Sequence, residues 1–339
     1  MRSATQPSQG PSDTVSDGVS DVIIVRKRSA LERHGSSLPK HQKSHAALMH
    51  VVDGLTGVLA KSGLSSSVVT LDELMNGSYD FYKAAKADQL RLIKSRTQLI
   101  VAVGGDGTLL HASHFIGGQT KLIGINAVPK ASVGHLCLAK DSNFAASVSR
   151  ALEGRLTPKR LQRLEVSKAR LADNDDGSKA LGNGVDSDLE ANLPLALNDV
   201  LFCNSHPAAT SRYGISVSLT GQPESGNNRT VCSEDHVSSG VWISTAAGST
   251  AAISSYGLQR LPLESSRFLI AVREPYFRPE SFCTLTRASL DGREQSLTIV
   301  SHMTSAIVAV DGADFSQQIK RAEGVSLSMG SENELLLYI

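Results

Sequence analysis

Apolar and polar positions alternate along this chain in two different styles. From residue 22 to residue 154, short β-branched runs take turns with longer stretches of helical spacing. Val22-Ile23-Ile24-Val25 predicts a strand, and Ser44 to Ala60 repeats apolar residues at the spacing of one helix face. Val68-Val69 predicts a second strand. Leu99-Ile100-Val101-Ala102-Val103 is apolar without a break and ends in glycine, as a parallel strand buried on both faces does. Leu109 to Phe115 predicts a helix, Lys121 to Ile125 a strand, and Ser142 to Leu152 another helix. This alternation predicts an α/β N-terminal domain, residues 22–154, built on an open, mostly parallel sheet.

After Gly154 the helical spacing stops. Leu161 to Leu171, Leu195 to Phe202, Gly214 to Leu219, Val241 to Ser244, Phe268 to Val272, Ser296 to His302 and Ala306 to Val310 are short strand-like segments separated by Gly, Asn, Asp and Pro. They predict a β-rich C-terminal domain, residues 155–339, with its last segment able to pack back on the first domain. Asp173 to Asn192 is acidic and rich in Gly and Asn, which suits an exposed hairpin loop or a disordered insertion, and Pro223 to Arg229 reads as a turn. Residues 1–21 hold Ser, Gly, Pro and Asp and read as a disordered tail.

Composition narrows the classes. The chain has 339 residues, 40% hydrophobic and 20% charged, enough for two domains of the usual ~100–150 residues. A net charge of +1 argues against a nucleic-acid binder, which normally carries a basic stripe. No apolar run reaches the ~20 residues of a membrane span. Cys137, Cys203, Cys232 and Cys283 stand apart with no CxxC pair, as thiols of a reducing compartment do. The tail lacks an apolar signal core and carries Asp13, Asp17 and Asp21, so a cytoplasmic location is expected.

The chemistry concentrates at Val103-Gly104-Gly105-Asp106-Gly107-Thr108, between a strand and a helix. Glycines let the backbone turn sharply and approach a ligand closely, and the helix N-terminus offers unpaired N–H groups to a phosphate. A carboxylate inside such a turn repels the anion unless it has a task. Two fit: general base toward an attacking hydroxyl, or ligand of the Mg²⁺ that accompanies ATP. The loop matches neither a Walker A motif nor a dinucleotide-binding G-x-G-x-x-G fingerprint.

This loop resembles that of a kinase superfamily containing the NAD kinases, the diacylglycerol and sphingosine kinases and, more distantly, phosphofructokinase. Two later segments separate these. Ala196-Leu197-Asn198-Asp199-Val200 is similar to the NAD kinases' Asn-Glu/Asp motif, and Ser239 to Ala251 to their glycine- and threonine-rich segment. Leu109 to Phe115, Gly134-His135-Leu136-Cys137 and Val272-Arg273-Glu274-Pro275 resemble the plant-type NADH kinase branch. The resemblance runs from about residue 98 to residue 312 in the family's order.

The resemblance implies an NAD kinase/diacylglycerol kinase-like fold and ATP-dependent phosphorylation of NADH or NAD at the 2′-hydroxyl of the adenosine ribose. By it, Asp106 is the base, Gly105 and Gly107 line the phosphate path, and Thr108 stands at the helix start. Asn198 and Asp199 contact the adenine and a ribose. Thr250, Ala251 and Ser255 wrap the two halves of the dinucleotide. Mg²⁺ with ATP is the implied cofactor, and a homo-oligomer, without nucleic-acid or membrane partners, the implied assembly. Ser239 stands where many relatives have Asp, and Ala252 where many have Tyr. Loss of that negative charge favours neutral NADH over the cationic NAD⁺ ring. A lipid kinase and a non-catalytic dinucleotide sensor are the alternatives. Among the rest, His111 and His114 read as helix surface for want of a third metal ligand, Asp311-Gly312 as a structural turn, and Trp242 as core.

Overall fold

The computed structural model describes residues 21–35, 38–75, 98–117, 119–170, 172–173, 179–180, 193–220, 229–277 and 283–339. The tail, apart from Asp21, most of the 173–192 stretch and the turn up to residue 228 lie outside the described residues.

The first sheet holds β1 (Val22–Arg26), β2 (Ser66–Thr70), β3 (Leu99–Gly104), β4 (Lys121–Asn126), β5 (Ala139–Lys140) and β6 (Lys159–Leu161). β2, β1, β3 and β4 lie side by side and parallel, with β5 parallel on β4. A seventh strand, Leu335–Tyr338, inserts between β4 and β6, parallel to the first and antiparallel to the second. The helices that matter here are α1 (Ala30–His34), α2 (Pro39–Lys61), α3 (Asp106–Ser113) and α4 (Phe144–Leu152). Pro39 at the first helical position starts α2 five residues before the apolar pattern becomes visible at Ser44. Gly105 is the N-cap of α3, so that helix begins at Asp106 and not at Leu109.

Successive residues of β1, β3 and β4 point to opposite sheet faces. Val22, Ile24, Leu99, Val101, Val103, Ile123 and Ile125 pack under Leu48, Val51, Val52, Leu55 and Leu59 of α2 and Phe144, Val148 and Ala151 of α4. The intervening Ile23, Val25, Ile100, Ala102 and Leu122 meet Leu109 and Ala112 of α3. Leu197 and Ala247 of the following domain join this second cluster. The face that carries α3 is therefore the face on which the second domain sits.

The remaining strands are β7 (Glu165–Arg170), the short pair β8 (Ala172–Asp173) and β9 (Lys179–Ala180), β10 (Asp199–Asn204), β11 (Ser211–Leu219), β12 (Arg229–Ser238) and β13 (Gly240–Ser244). β14 (Arg267–Arg273), β15 (Arg287–Asp291), β16 (Gln295–Ser301), β17 (Ala306–Val310), β18 (Phe315–Ile319), β19 (Glu323–Ser328) and β20 (Leu335–Tyr338, the inserted strand) follow. Apart from the separate β8–β9 pair and β20, they form two antiparallel sheets, in the orders β15-β14-β13-β10-β17-β18 and β12-β11-β16-β19-β7. Phe202, Ile243, Phe268 and Ile270 of one sheet pack against Tyr213, Ile215, Leu297 and Ile299 of the other as a β-sandwich core. The segment Leu161 to Leu171, one run in the sequence, is divided. β6 ends the first sheet, β7 begins the sandwich, and buried Gln162 and Arg163 make the crossing. Among the described residues no helix is long and apolar enough to cross a membrane.

Candidate active site

β3 is buried throughout and delivers the glycine loop to the edge of the second domain. A Cβ on Gly104 would collide with the Thr108 side chain, and one on Gly105 with the Ser132 side chain. Gly107 is exposed and faces open space. Thr108 is buried in the first turn of α3. Asp106 is the first residue of the helix, where the dipole favours a negative charge. Its Oδ2 accepts hydrogen bonds from the backbone N–H groups of Gly134 and His135, both 3.0 Å, and its Oδ1 from Leu136 at 2.9 Å. Gly134 has φ +71° and presses against Asn126, whose Nδ2 donates to the Ser132 carbonyl at 2.9 Å. Asn126 at the end of β4 thus shapes the loop that fixes Asp106, a role the sequence reading did not assign.

Asp199 begins β10, and Asn198 immediately precedes it. Asp311 gathers them: its carboxylate accepts from the N–H groups of Leu197 (2.8 Å), Asn198 (2.7 Å) and Asp199 (2.8 Å). The same carboxylate lies 2.8 Å from His114 Nε2 on α3, with both side chains fully buried. The structural turn expected at Asp311-Gly312 is present, and the reading is corrected only in the reach of its carboxylate. Asp311 takes a left-handed backbone, φ +49°, and ties α3 to β10. The helix-surface reading of the two histidines is corrected too. His114 is interior, held below its ordinary pKa by burial against the opposing pull of Asp311. Neutral, it donates from Nε2 to that carboxylate. His111 lies 2.7 Å from the Gly107 carbonyl through Nδ1 and 3.0 Å from Asp314 through Nε2. The two rings thus hold separate carboxylates.

The third segment closes on the second. Thr245 donates its N–H to the Asn198 carbonyl (3.0 Å) and its hydroxyl to the Leu197 carbonyl, while Ser244 Oγ donates to Asn198 at 3.2 Å. A Cβ on Gly248 would strike the Asn198 carbonyl, so only glycine permits this approach. Beyond the turn, Thr250 and Ala251 are half-buried, and Ser255 is exposed with its hydroxyl on the Ala252 carbonyl at 2.9 Å. Trp242, expected in the core, is half-buried with the Arg273 guanidinium 6.0 Å from its ring centre.

Burial, then the neighbouring Asp311, push the Asp199 carboxyl up to about 7, against the lowering effect of its bond from Asn198 Nδ2 at 3.0 Å. A carboxyl raised by burial suits recognition of hydroxyl groups, and a carboxylate fixed at a helix N-terminus suits proton movement. The loop of α3, the start of β10 and the Thr245 to Ala251 turn meet through Leu109, Leu136, Leu197 and Ala247.

Comparison with known proteins agrees with this geometry. A family described as "ATP-NAD kinase N-terminal domain" matches residues 23–156. A "Probable NADH kinase" of Oryza sativa subsp. japonica is 29% identical over 272 residues, 75% of each chain. An "NADH kinase" of Arabidopsis thaliana is 29% identical over 245 residues, 68% of this chain and 69% of that one. The fold resembles that of an NAD kinase from Archaeoglobus fulgidus in complex with ATP (TM-score 0.57, 16% identity, 94% of this chain and 93% of that one). It also resembles a yeast NADH kinase complexed with NADH (TM-score 0.61, 15% identity, 95% and 85%).

Proposed function

This chain belongs to the NAD kinase family, and on that premise we propose that it transfers the γ-phosphoryl group of ATP to the adenosine-ribose 2′-hydroxyl of NADH or NAD with Asp106 as general base. Asp106 takes the hydroxyl proton, the O2′–P bond forms, and the bond to the β-phosphate oxygen breaks to release ADP. The observation that carries this reading is the clamp on Asp106. Three N–H groups hold both of its oxygens in place at the start of α3, beside a loop whose Gly107 stands open to solvent. Mg²⁺ bound with ATP neutralises charge on the phosphates. Its ligands are hard oxygens, and Asp106 is the carboxylate on the glycine loop that could meet it.

Asn198 and Asp199 serve the adenine edge and a ribose diol, and Thr250, Ala251 and Ser255 line the path of the dinucleotide. Ser239 in place of a carboxylate favours the reduced, uncharged nicotinamide. A homo-oligomer is part of the reading. β12 is an outer strand, and Val231 on it stands 49% exposed, an edge that a second copy would cover. Light scattering on the purified protein tests the last point.

The decisive experiment supplies MgATP with NAD⁺ or NADH and measures NADP⁺ and NADPH. Wild type is expected to form product, faster from NADH. Asp106→Asn removes the base at nearly constant size, though its amide nitrogen cannot accept, so at least one of the three N–H bonds is lost; kcat is expected to fall by roughly 10²–10⁴-fold. Equal rates for the two proteins would remove Asp106 from the chemistry.

A further inference from the structure

We propose that Glu234, His236 and Cys283 form a site for one divalent cation of the Zn²⁺ class, apart from the residues assigned to phosphoryl transfer. Cys232, Glu234 and His236 alternate along β12 and so share one face of the strand. Cys283 comes to the same face from the segment that leads into β15. One ligand atom from each of Glu234, His236 and Cys283 lies within 4.8 Å of the other two. Modest side-chain rotation brings them to the separations of a tetrahedral shell, whose metal–ligand bonds are ~2.0–2.3 Å.

His236 gives the independent pointer to a ligand. The ring is 2% exposed, yet its Nε2 makes no hydrogen bond. Its nearest charged neighbour is Glu234 Oε2, 3.2 Å away as an ion pair. A buried polar atom without a partner costs stability, and a cation seated between the imidazole and the carboxylate removes that cost.

The surroundings are those of a supported metal shell. Glu234 is oriented by the N–H groups of Thr284 (2.9 Å) and Leu285 (3.1 Å) and by the Thr284 hydroxyl. The His236 ring is stacked on Tyr213, centroids 5.6 Å apart and planes at 9°. Cys232 Sγ lies 3.7 Å from Glu234 Oε1 and is the nearest candidate for a fourth ligand. Imidazole, carboxylate and thiol together select a borderline cation over Mg²⁺ or Ca²⁺. Binding replaces the Cys283 S–H bond with an S–metal bond and releases one proton to solvent. It would pin the segment after the Val272 to Pro275 stretch to β12.

The test uses the untagged full chain, stripped with chelator and free of nucleotide, titrated with Co²⁺ alone and then with Zn²⁺ as competitor. Wild type is expected to bind one equivalent with the near-ultraviolet charge-transfer absorption of a cobalt–thiolate bond, lost on adding Zn²⁺. Cys283→Ser, at a half-buried position, is expected to fold and to lose that absorption, and Glu234→Gln to bind at least about tenfold more weakly. His302→Ala removes the neighbouring exposed pair with Asp235 (2.9 Å) and should change nothing. No thiolate absorption in wild type, equal binding by Cys283→Ser, or loss of the signal in His302→Ala each overturns the proposal.

Discussion

Asp199 shows how a single side chain couples stability to substrate. Its folded pKa, about 7, is raised above the ordinary 3.8 by burial and by Asp311. A raised carboxyl contributes stability fully below its unfolded pKa and loses it as pH climbs through the folded one. Asp199→Asn should therefore be more stable relative to wild type at pH 8 than at pH 5, by on the order of 2–4 kcal/mol, read from denaturant midpoints at both values. Only the ionised form accepts from both hydroxyls of a ribose diol. The KM for dinucleotide should accordingly fall as pH rises through about 7 in wild type, and stay flat in the variant. Arg163 makes the opposite bargain. It is 1% exposed and donates to the carbonyls of Asn333 (2.9 Å), Ser113 (2.8 Å) and Ile116 (2.9 Å). Burial lowers its pKa to about 10, so it remains charged at neutral pH. Arg163→Met removes three hydrogen bonds to carbonyls, of which the Ser113 carbonyl keeps the Ile116 N–H, and should cost roughly 3–5 kcal/mol in a denaturant titration.

Elements were legible in the sequence where their own residues determine them. β3 and α3 followed from an unbroken apolar run, two glycines and a helix start, and the structure moves only the boundary, because Gly105 caps the helix. The division of Leu161 to Leu171 between two sheets was not legible. Gln162 and Arg163 are polar and carry no local sign of burial, yet both are buried at the crossing. Asp311 escaped for a related reason: its partners Leu197 and His114 lie 114 and 197 residues away, and no local pattern marks such a contact. His114 was misplaced because its polarity suggested solvent and its partner was out of sight. The Thr245 to Ala251 turn tests the element directly. Gly248→Ala puts a methyl against the Asn198 backbone, which cannot rotate away. The expected outcome is a tenfold or greater rise in the dinucleotide KM, with the ATP KM less affected, since β10 is displaced and α3 is not.

At the scale of the whole molecule, the described contacts that join the parallel sheet to the sandwich include the Leu197 and Ala247 side chains on the α3 face, the His114–Asp311 and His111–Asp314 bonds, and β20 inside the first sheet. The nucleotide-binding half is therefore no free-standing module. Removing residues 335–339 should expose the edges of β4 and β6 and abolish kinase activity together with the cooperative thermal transition, followed by calorimetry. Asp311→Asn, by contrast, should spare the sheet and loosen only the link between α3 and β10. The placement of β20 also imposes an order in time. As the chain leaves the ribosome, β1 to β4 can assemble early, but their neighbour is encoded more than two hundred residues downstream of β4. Through most of synthesis the nascent protein carries an open parallel edge beside its glycine loop, a state that invites mispairing or chaperone capture. The first sheet closes only when β20 arrives.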